Sequence, residues 1–169
     1  MVDVYRLQDV QENVSKMLSI REYIHDLDWD DICKIHDRAR LVELDGSVSE
    51  KAFIPLADCY KEEELFDSSI FVGKYNREII GFVAYNKHDI TWLYVNPKFF
   101  RNGYGRRLLD FALNKASKPA KVTVLKNNFR AIALYESYGF RVVAENKGKI
   151  PLTEIEAIGL KMEQVDEIV

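Results

Sequence analysis

The chain changes its hydrophobic rhythm near residue 69. Before that point apolar residues recur every three or four positions. Leu7, Val10, Val14, Met17 and Leu18 share one helical stripe, and Ile32, Ile35, Ala39 and Val42 share another. The second stripe predicts a helix capped at Asp28 and ended by Gly46. Between the stripes, Ser19 to His25 alternates as a first strand would. A further helical stretch is predicted from Ser49 to Phe66, with Pro55 as a kink or break. Beyond it the period falls to two. SIFVGKY and IIGFVAY flank the polar NRE turn, NKHD forms a second turn, and ITWLYV makes a third strand. Helical spacing returns in Leu108, Leu109, Ala112, Leu113 and Ala116. A short strand follows from Lys121 to Leu125, then a helix capped by Asn127 or Asn128. That helix shows Ala131, Leu134, Tyr135 and Tyr138 on one face and ends at Gly139. FRVVAE and TEIEAIGLKMEQ close the chain as two strands around a KGKIP turn. The order predicts a mixed α/β domain, an antiparallel meander followed by a strand–helix–strand link that makes a parallel pair.

Composition narrows the picture. With 169 residues and 47% hydrophobic content, the chain suits one domain with its own core. Cys33 and Cys59 form no CxxC pair, so neither a disulfide framework nor a metal site is expected. No apolar run approaches the ~18 residues that cross a bilayer, and the acidic first residues lack a signal-type apolar core. A soluble, cytoplasmic protein is expected. The net charge of −3 excludes a uniformly basic nucleic-acid binder. Charge is nevertheless concentrated: Pro97 to Arg130 carries nine Lys or Arg against one acid, Asp110. Such a field favours an anionic partner, or is simply a solvated basic face.

Within that stretch, VNPKFFRNGYGRRLL (residues 95–109) sets Gly103-Tyr104-Gly105 where a strand passes into a helix. A helix start offers unpaired N–H groups and partial positive charge, and glycines let the backbone approach an anion. The junction reads as a phosphate cradle, with Arg101, Arg106 and Arg107 around it, or as an ordinary turn. No lysine follows in the P-loop manner, and Leu108 stands where a GxGxxG fingerprint needs its third glycine.

A second stretch, NNFRAIALYESYGF (127–140), completes a pattern with the first. Together they resemble the GNAT superfamily of acyl-CoA-dependent N-acetyltransferases. One signature of that superfamily is a strand ending in V-x-P followed by [QR]-x-x-G-x-[GA]; here Val95, Pro97, Gly103 and Gly105 match it. The other is N-x-x-A-x-x-L-Y with a later G-F, matched by Asn128, Ala131, Leu134, Tyr135, Gly139 and Phe140. Phe100 departs from the usual Gln or Arg, so a side-chain contact made there in relatives is lost or moves to Arg101.

The resemblance implies a single GNAT domain over residues 19–165; residues 1–18 lie outside it, and their apolar stripe predicts a helical extension. It implies a mixed sheet of six to seven strands flanked by helices and splayed between the fourth and fifth strands. It implies acetyl-CoA as cosubstrate, a primary amine as acceptor, no metal, and direct attack in a ternary complex. The pyrophosphate would rest on the amides of Arg101, Asn102, Gly103, Tyr104, Gly105 and Arg106. The pantetheine arm would lie along Leu93, Tyr94 and Val95 and bond Asn128, and Tyr135 would protonate the departing thiolate. On periodicity alone Tyr135 is equally a core aromatic. Glu43, His36, Asp89 and Glu78 are the candidates for the base. The superfamily's habit and the apolar 7–18 stripe suggest a homodimer.

Two other readings stay open on the sequence: a non-catalytic acyl-CoA sensor on the same fold, and a nucleic-acid module using the basic stretch, for which no recognised motif is present. Thirteen acids between Asp26 and Asp67 hint at a cationic amine, a peptide N-terminus or a lysine as acceptor, or form a solvated face. Trp92, Tyr94, Phe53 and Tyr60 are aromatic wall or core.

Overall fold

A computed structural model describes residues 17–165. The stripe at 7–18 lies outside the described residues except for its end, where Leu18 is buried and Met17 exposed. Seven strands form one sheet: β1 (Ser19–Glu22), β2 (Ser69–Tyr75), β3 (Glu78–Asn86), β4 (Asp89–Val95), β5 (Lys121–Leu125), β6 (Phe140–Lys149) and β7 (Glu156–Gln164). Their order is β1-β2-β3-β4-β5-β7-β6. All neighbours are antiparallel except β4 and β5, which are parallel. Four α-helices accompany them: α1 (His25–Ser47), α2 (Leu56–Cys59), α3 (Tyr104–Leu113) and α4 (Phe129–Glu136). This is the single-domain GNAT arrangement expected from the sequence.

Each face of the sheet buries one apolar stripe. Leu108, Leu109 and Ala112 of α3 pack with Val83, Val122 and Met162 on one side. Ile32 and Ile35 of α1 pack with Phe82 and Trp92 on the other. The meander forms because its turns accept left-handed residues: Asn76 and Arg77 have φ of 48° and 67°, the geometry of a two-residue type I′ hairpin. The approach of α3 depends on Gly81. A Cβ there would lie 2.8 Å from the Tyr94 carbonyl oxygen and 2.9 Å from a Leu108 methyl. The missing side chain lets the N-terminus of α3 settle beside the end of β4.

Four boundaries differ from expectation. The first strand stops at Glu22 rather than His25, and α1 begins three residues before Asp28. Asp28 is not an N-cap: it is buried in the first turn, accepts the Ile24 N–H at 2.8 Å and two Arg21 N–H groups at 2.7 Å. Those Arg21 bonds hold its carboxyl below the usual carboxylate range. The stretch 49–66 is not one helix. It breaks into a 3-10 turn at Glu50–Ala52, the single-turn α2, and a 3-10 turn at Leu65–Asp67. Pro55 lacks an N–H and disfavours helix in the residue before it, and Glu64 takes a left-handed φ of 54°. Finally, β6 runs on through Lys147-Gly148-Lys149, because Lys149 pairs with Glu156 of β7. An exposed edge strand tolerates such a lysine-rich end.

Candidate active site

β4 and β5 share one paired position, Asp89 with Lys121, and diverge from there toward Val95 and Leu125. Between their far ends opens a cleft of about 880 Å³. Its walls include β4, the loop into α3, the start of α4, and Glu43 near the end of α1. The hydrogen-bond alternation of an antiparallel pair decides which groups face it. The Asn96 N–H donates to Ile80 across the ladder at 2.8 Å, and Tyr94 lies opposite Phe82. By alternation the Tyr94 N–H also turns toward β3, while those of Leu93 and Val95 turn toward the gap. Tyr94 therefore lines the cleft with its side chain, Leu93 and Val95 with main-chain donors as well.

At the mouth, Phe100 ends a short 3-10 turn, and Arg101 and Gly103 take φ of 65° and 78° before α3 starts. The first helical bond is Arg107 N–H to the Gly103 carbonyl at 3.2 Å. From Arg101 to Arg106 no backbone N–H has a protein acceptor among the described residues, and no side chain caps the helix. The Asn102 side chain instead ties the loop by donating to the carbonyls of Phe99 and Phe100, both at 3.1 Å. A Cβ on Gly103 would meet nothing within 4 Å, so the space beyond the loop is open. Of the six residues named for this cradle, Arg101, Gly103, Tyr104, Gly105 and Arg106 line the cleft, and Asn102 braces the loop from within.

Basic side chains ring the same mouth. The Arg130 guanidinium stands 4.3 Å from the centre of the Phe100 ring. Arg106 donates to Ser137 Oγ at 3.1 Å and lies over Tyr138. Neither arginine pairs with a carboxylate among the described residues. Other members of the basic stretch are elsewhere: Lys118 donates to Gln164, Lys121 approaches Glu163, and Lys126 pairs with Glu145. The stretch is divided in space and forms no single polyanion track.

Deeper in, Glu43 is the convergence point. Its Oε2 accepts from Arg40 at 2.7 Å and from the Tyr94 hydroxyl at 3.2 Å, and its Oε1 accepts from Asn128 Nδ2 at 3.2 Å. A carboxylate offers about four lone-pair sites, so one is left for a ligand. Asn128 also caps α4, its Oδ1 accepting the Ala131 N–H at 3.1 Å. Tyr135 is buried against Phe140, with ring centres 5.5 Å apart. Its hydroxyl has no partner among the described residues, yet no fully enclosed side-chain polar atom is left unpaired. The hydroxyl therefore opens on the cleft, which Tyr135 lines. Burial, and then the negative charge of Glu43, push its phenol above the usual range.

The other three base candidates stay outside. His36 is buried against Trp92 and Tyr94, donates to or accepts from Asp37 at 2.9 Å, and burial lowers its pKa. Asp89 and Glu78 begin strands at exposed turns. Of the four proposed wall aromatics, Trp92 and Tyr94 line the cleft. Phe53 packs under the end of α1, and Tyr60 packs on Trp29 and Phe66. Arg40 was not singled out from the sequence, although its i,i+3 spacing to Glu43 marks it as that carboxylate's holder.

Comparison with known proteins agrees with this geometry. Residues 66–142 match the acetyltransferase (GNAT) domain family. The chain is 25% identical over 123 residues to the uncharacterized N-acetyltransferase YafP of Escherichia coli (strain K12), covering 71% of this chain and 79% of that protein. It is 36% identical over 72 residues to the UPF0157 protein YqkA of Bacillus subtilis (strain 168). That match covers 39% of this chain and only 21% of that longer protein. In fold it is similar to the PaiA N-acetyltransferase of Thermoplasma acidophilum in complex with coenzyme A, with a TM-score of 0.66 and 17% identity over 88% of this chain and 99% of that one. The family match thus spans residues 66–142, and the fold of the chain is that of GNAT N-acetyltransferases. Among the described residues no cluster of three or more His, Cys, Asp or Glu is placed to hold a metal, and no helix is long and apolar enough to cross a membrane.

Proposed function

We propose that the chain transfers the acetyl group of acetyl-CoA to a primary amine by direct attack within the cleft. The observation that carries this reading is the pairing, in one cleft, of a carboxylate with one open acceptor site, a cleft-facing phenol and the outward N–H groups of β4. The unpartnered amides of 101–106, with Arg106 and Arg130 beside them, suit the pyrophosphate. The pantetheine arm would extend beside β4 as an added strand, bonded by Leu93 and Val95. One of those N–H groups would then polarise the thioester carbonyl as an oxyanion donor. The remaining N–H of Asn128 is free for the arm, since its other polar positions hold Glu43 and the α4 start.

Glu43 is the base in this reading. It takes a proton from the amine as nitrogen attacks the carbonyl carbon; the C–S bond then breaks and sulfur leaves with the electron pair. Tyr135 points its hydroxyl hydrogen at that sulfur. A thiol has a pKa of about 8.5 and an ordinary phenol about 10. Complete transfer from a phenol pushed higher is uphill by at least about 2 kcal/mol. Tyr135 therefore acts as a hydrogen-bond donor to the forming thiolate, and the proton taken up by Glu43, passed on through solvent, completes the thiol. The free thiols of Cys33 and Cys59 fit a reducing, cytoplasmic setting.

The test is thiol release from acetyl-CoA with a panel of primary amines, beside a thermal-shift titration with coenzyme A. Stabilisation by coenzyme A and amine-dependent release are expected. No stabilisation overturns the donor site; stabilisation without release on any amine turns the reading toward a sensor.

A further inference from the structure

A second cavity, of about 740 Å³, adjoins the cleft and contains none of the residues assigned above to the acyl donor. It lies where the end of α1 meets the end of β5 and the β6–β7 hairpin. The two spaces share Asn127, whose Nδ2 donates to the Ser47 carbonyl at 3.2 Å and forms the sill between them. Its floor is apolar: Val48, Ala157 and Ile158 line it. Its wall carries three ammonium groups, Lys126, Lys147 and Lys149, against a single lining carboxylate, Glu156. Lys126 and Lys149 each have an exposed partner outside the lining, Glu145 and Glu154. Lys147 has no acidic partner among the described residues. Exposed ion pairs contribute only about 0–1 kcal/mol, so a ligand's anion can exchange with them.

Resting on the reading of Glu43 as the amine-binding base, we propose that this cavity holds an anionic group of the acceptor, and that the acceptor is an amine carrying a carboxylate at a distance. Ser47 lies four residues after Glu43 on α1, about 6 Å of helix rise. The amine at Glu43 and the anion beyond Ser47 are therefore separated by at least that span. A free α-amino acid cannot reach, since its nitrogen and carboxyl carbon are only about 2.5 Å apart. An ω-amino acid, or a peptide N-terminus followed by an acidic residue, spans it. This differs from the purely cationic acceptor that the acids of 26–67 suggest. Most of those acids lie on exposed positions outside the cleft, and only Glu43 lines it.

The experiment is calorimetric titration of 6-aminohexanoate, hexylamine and glycine into the full chain, with and without saturating coenzyme A, and acetyl transfer to the same amines. The 6-aminohexanoate is expected to bind about five- to ten-fold tighter than hexylamine at low salt, with the advantage shrinking in salt. Glycine should bind worst. Lys147→Glu should abolish the advantage, and Lys118→Glu, on the far side of the sheet end, should keep it. Equal or tighter binding of hexylamine, or an advantage that survives Lys147→Glu, overturns the proposal. Because the titration is also run without coenzyme A, a failure of the donor site shows separately as lost coenzyme A binding and leaves the carboxylate preference measurable.

Discussion

The two ends of the cleft are built differently. The proposed donor end is main chain: six amide groups of one loop, two N–H groups of one strand, and a glycine whose φ of 78° sets the bend. The proposed acceptor end is side chain: Glu43 from α1, Tyr94 from β4, Asn128 before α4, and, in the adjoining cavity, Lys126 after β5 with Lys147 and Lys149 of β6. A phosphate is recognised by any backbone that presents its N–H groups together, so the donor end needs a shape and little else. An acceptor is recognised by charges placed one at a time, so that end is free to vary while the donor end stays the same.

Mutation should separate the two ends. Glu43→Gln should give the largest effect. The amide keeps the size and accepts some of the same bonds, but it cannot take a proton. A fall in kcat of about 10²- to 10⁴-fold is expected, the usual contribution of a general base, with the coenzyme A dissociation constant little changed. Stopped or steady-state thiol release at several pH values measures it. A variant retaining near-normal kcat would remove Glu43 as base and make it a support for Tyr94 and Asn128.

Tyr135→Phe comes next. The ring stays packed on Phe140, so the fold and Tm should hold. Loss of one hydrogen bond to a developing anion costs about 1.5–3 kcal/mol, or roughly 10- to 10²-fold in kcat. Using acyl donors with better thiol leaving groups sharpens the point: the defect should shrink as the thiolate needs less help. An undiminished defect would assign Tyr135 to packing instead.

The difference between the ends also explains what the sequence disclosed. The donor end was legible because every part of it lies within residues 93–106 and 128–135, where local spacing is the geometry. The antiparallel meander and the later parallel pair followed from the order of elements, and the splay from the resemblance. Glu43 stood in the sequence only as one of four candidate bases, since Glu43 and Asn128 are 85 positions apart yet 3.2 Å apart in space, and nothing in either segment announces the other. The region 49–66 was misread because its apolar residues keep helical spacing, while Pro55 and the left-handed Glu64 forbid a continuous helix. The end of β6 was missed because Lys147-Gly148-Lys149 looks like a turn until its pairing with β7 is known.

Gly103→Ala tests the donor end at lower amplitude. A Cβ there clashes with nothing, so the penalty is the left-handed φ alone, about 1–2 kcal/mol. The loop should relax away from its bend, and coenzyme A should bind about 5- to 30-fold more weakly, while the amine dependence of the residual rate is unchanged. Weakened amine binding with normal coenzyme A binding would show that the ends are not separable.

Phe100 offers the finest probe, because it is the one place where the donor end departs from the superfamily's pattern. A phenyl ring cannot bond a phosphate, but it can hold something that does. Arg130 projects from the first turn of α4 and rests 4.3 Å above that ring, at the cleft mouth and without an acidic partner among the described residues. The ring fixes a flexible cation where, in the proposed reading, the cosubstrate's phosphates would arrive. An exposed cation–π contact is worth about 0.5–1 kcal/mol, so Phe100→Ala should weaken coenzyme A binding only about two- to five-fold. Arg130→Ala should do the same, and the double variant should do no worse than either alone, because the two residues act as a unit. Phe100→Gln should recover part of the loss by bonding the phosphate directly and should make Arg130 dispensable. Additive losses in the double variant would mean that ring and guanidinium serve the cosubstrate independently, and that the departure at residue 100 is not compensated from α4.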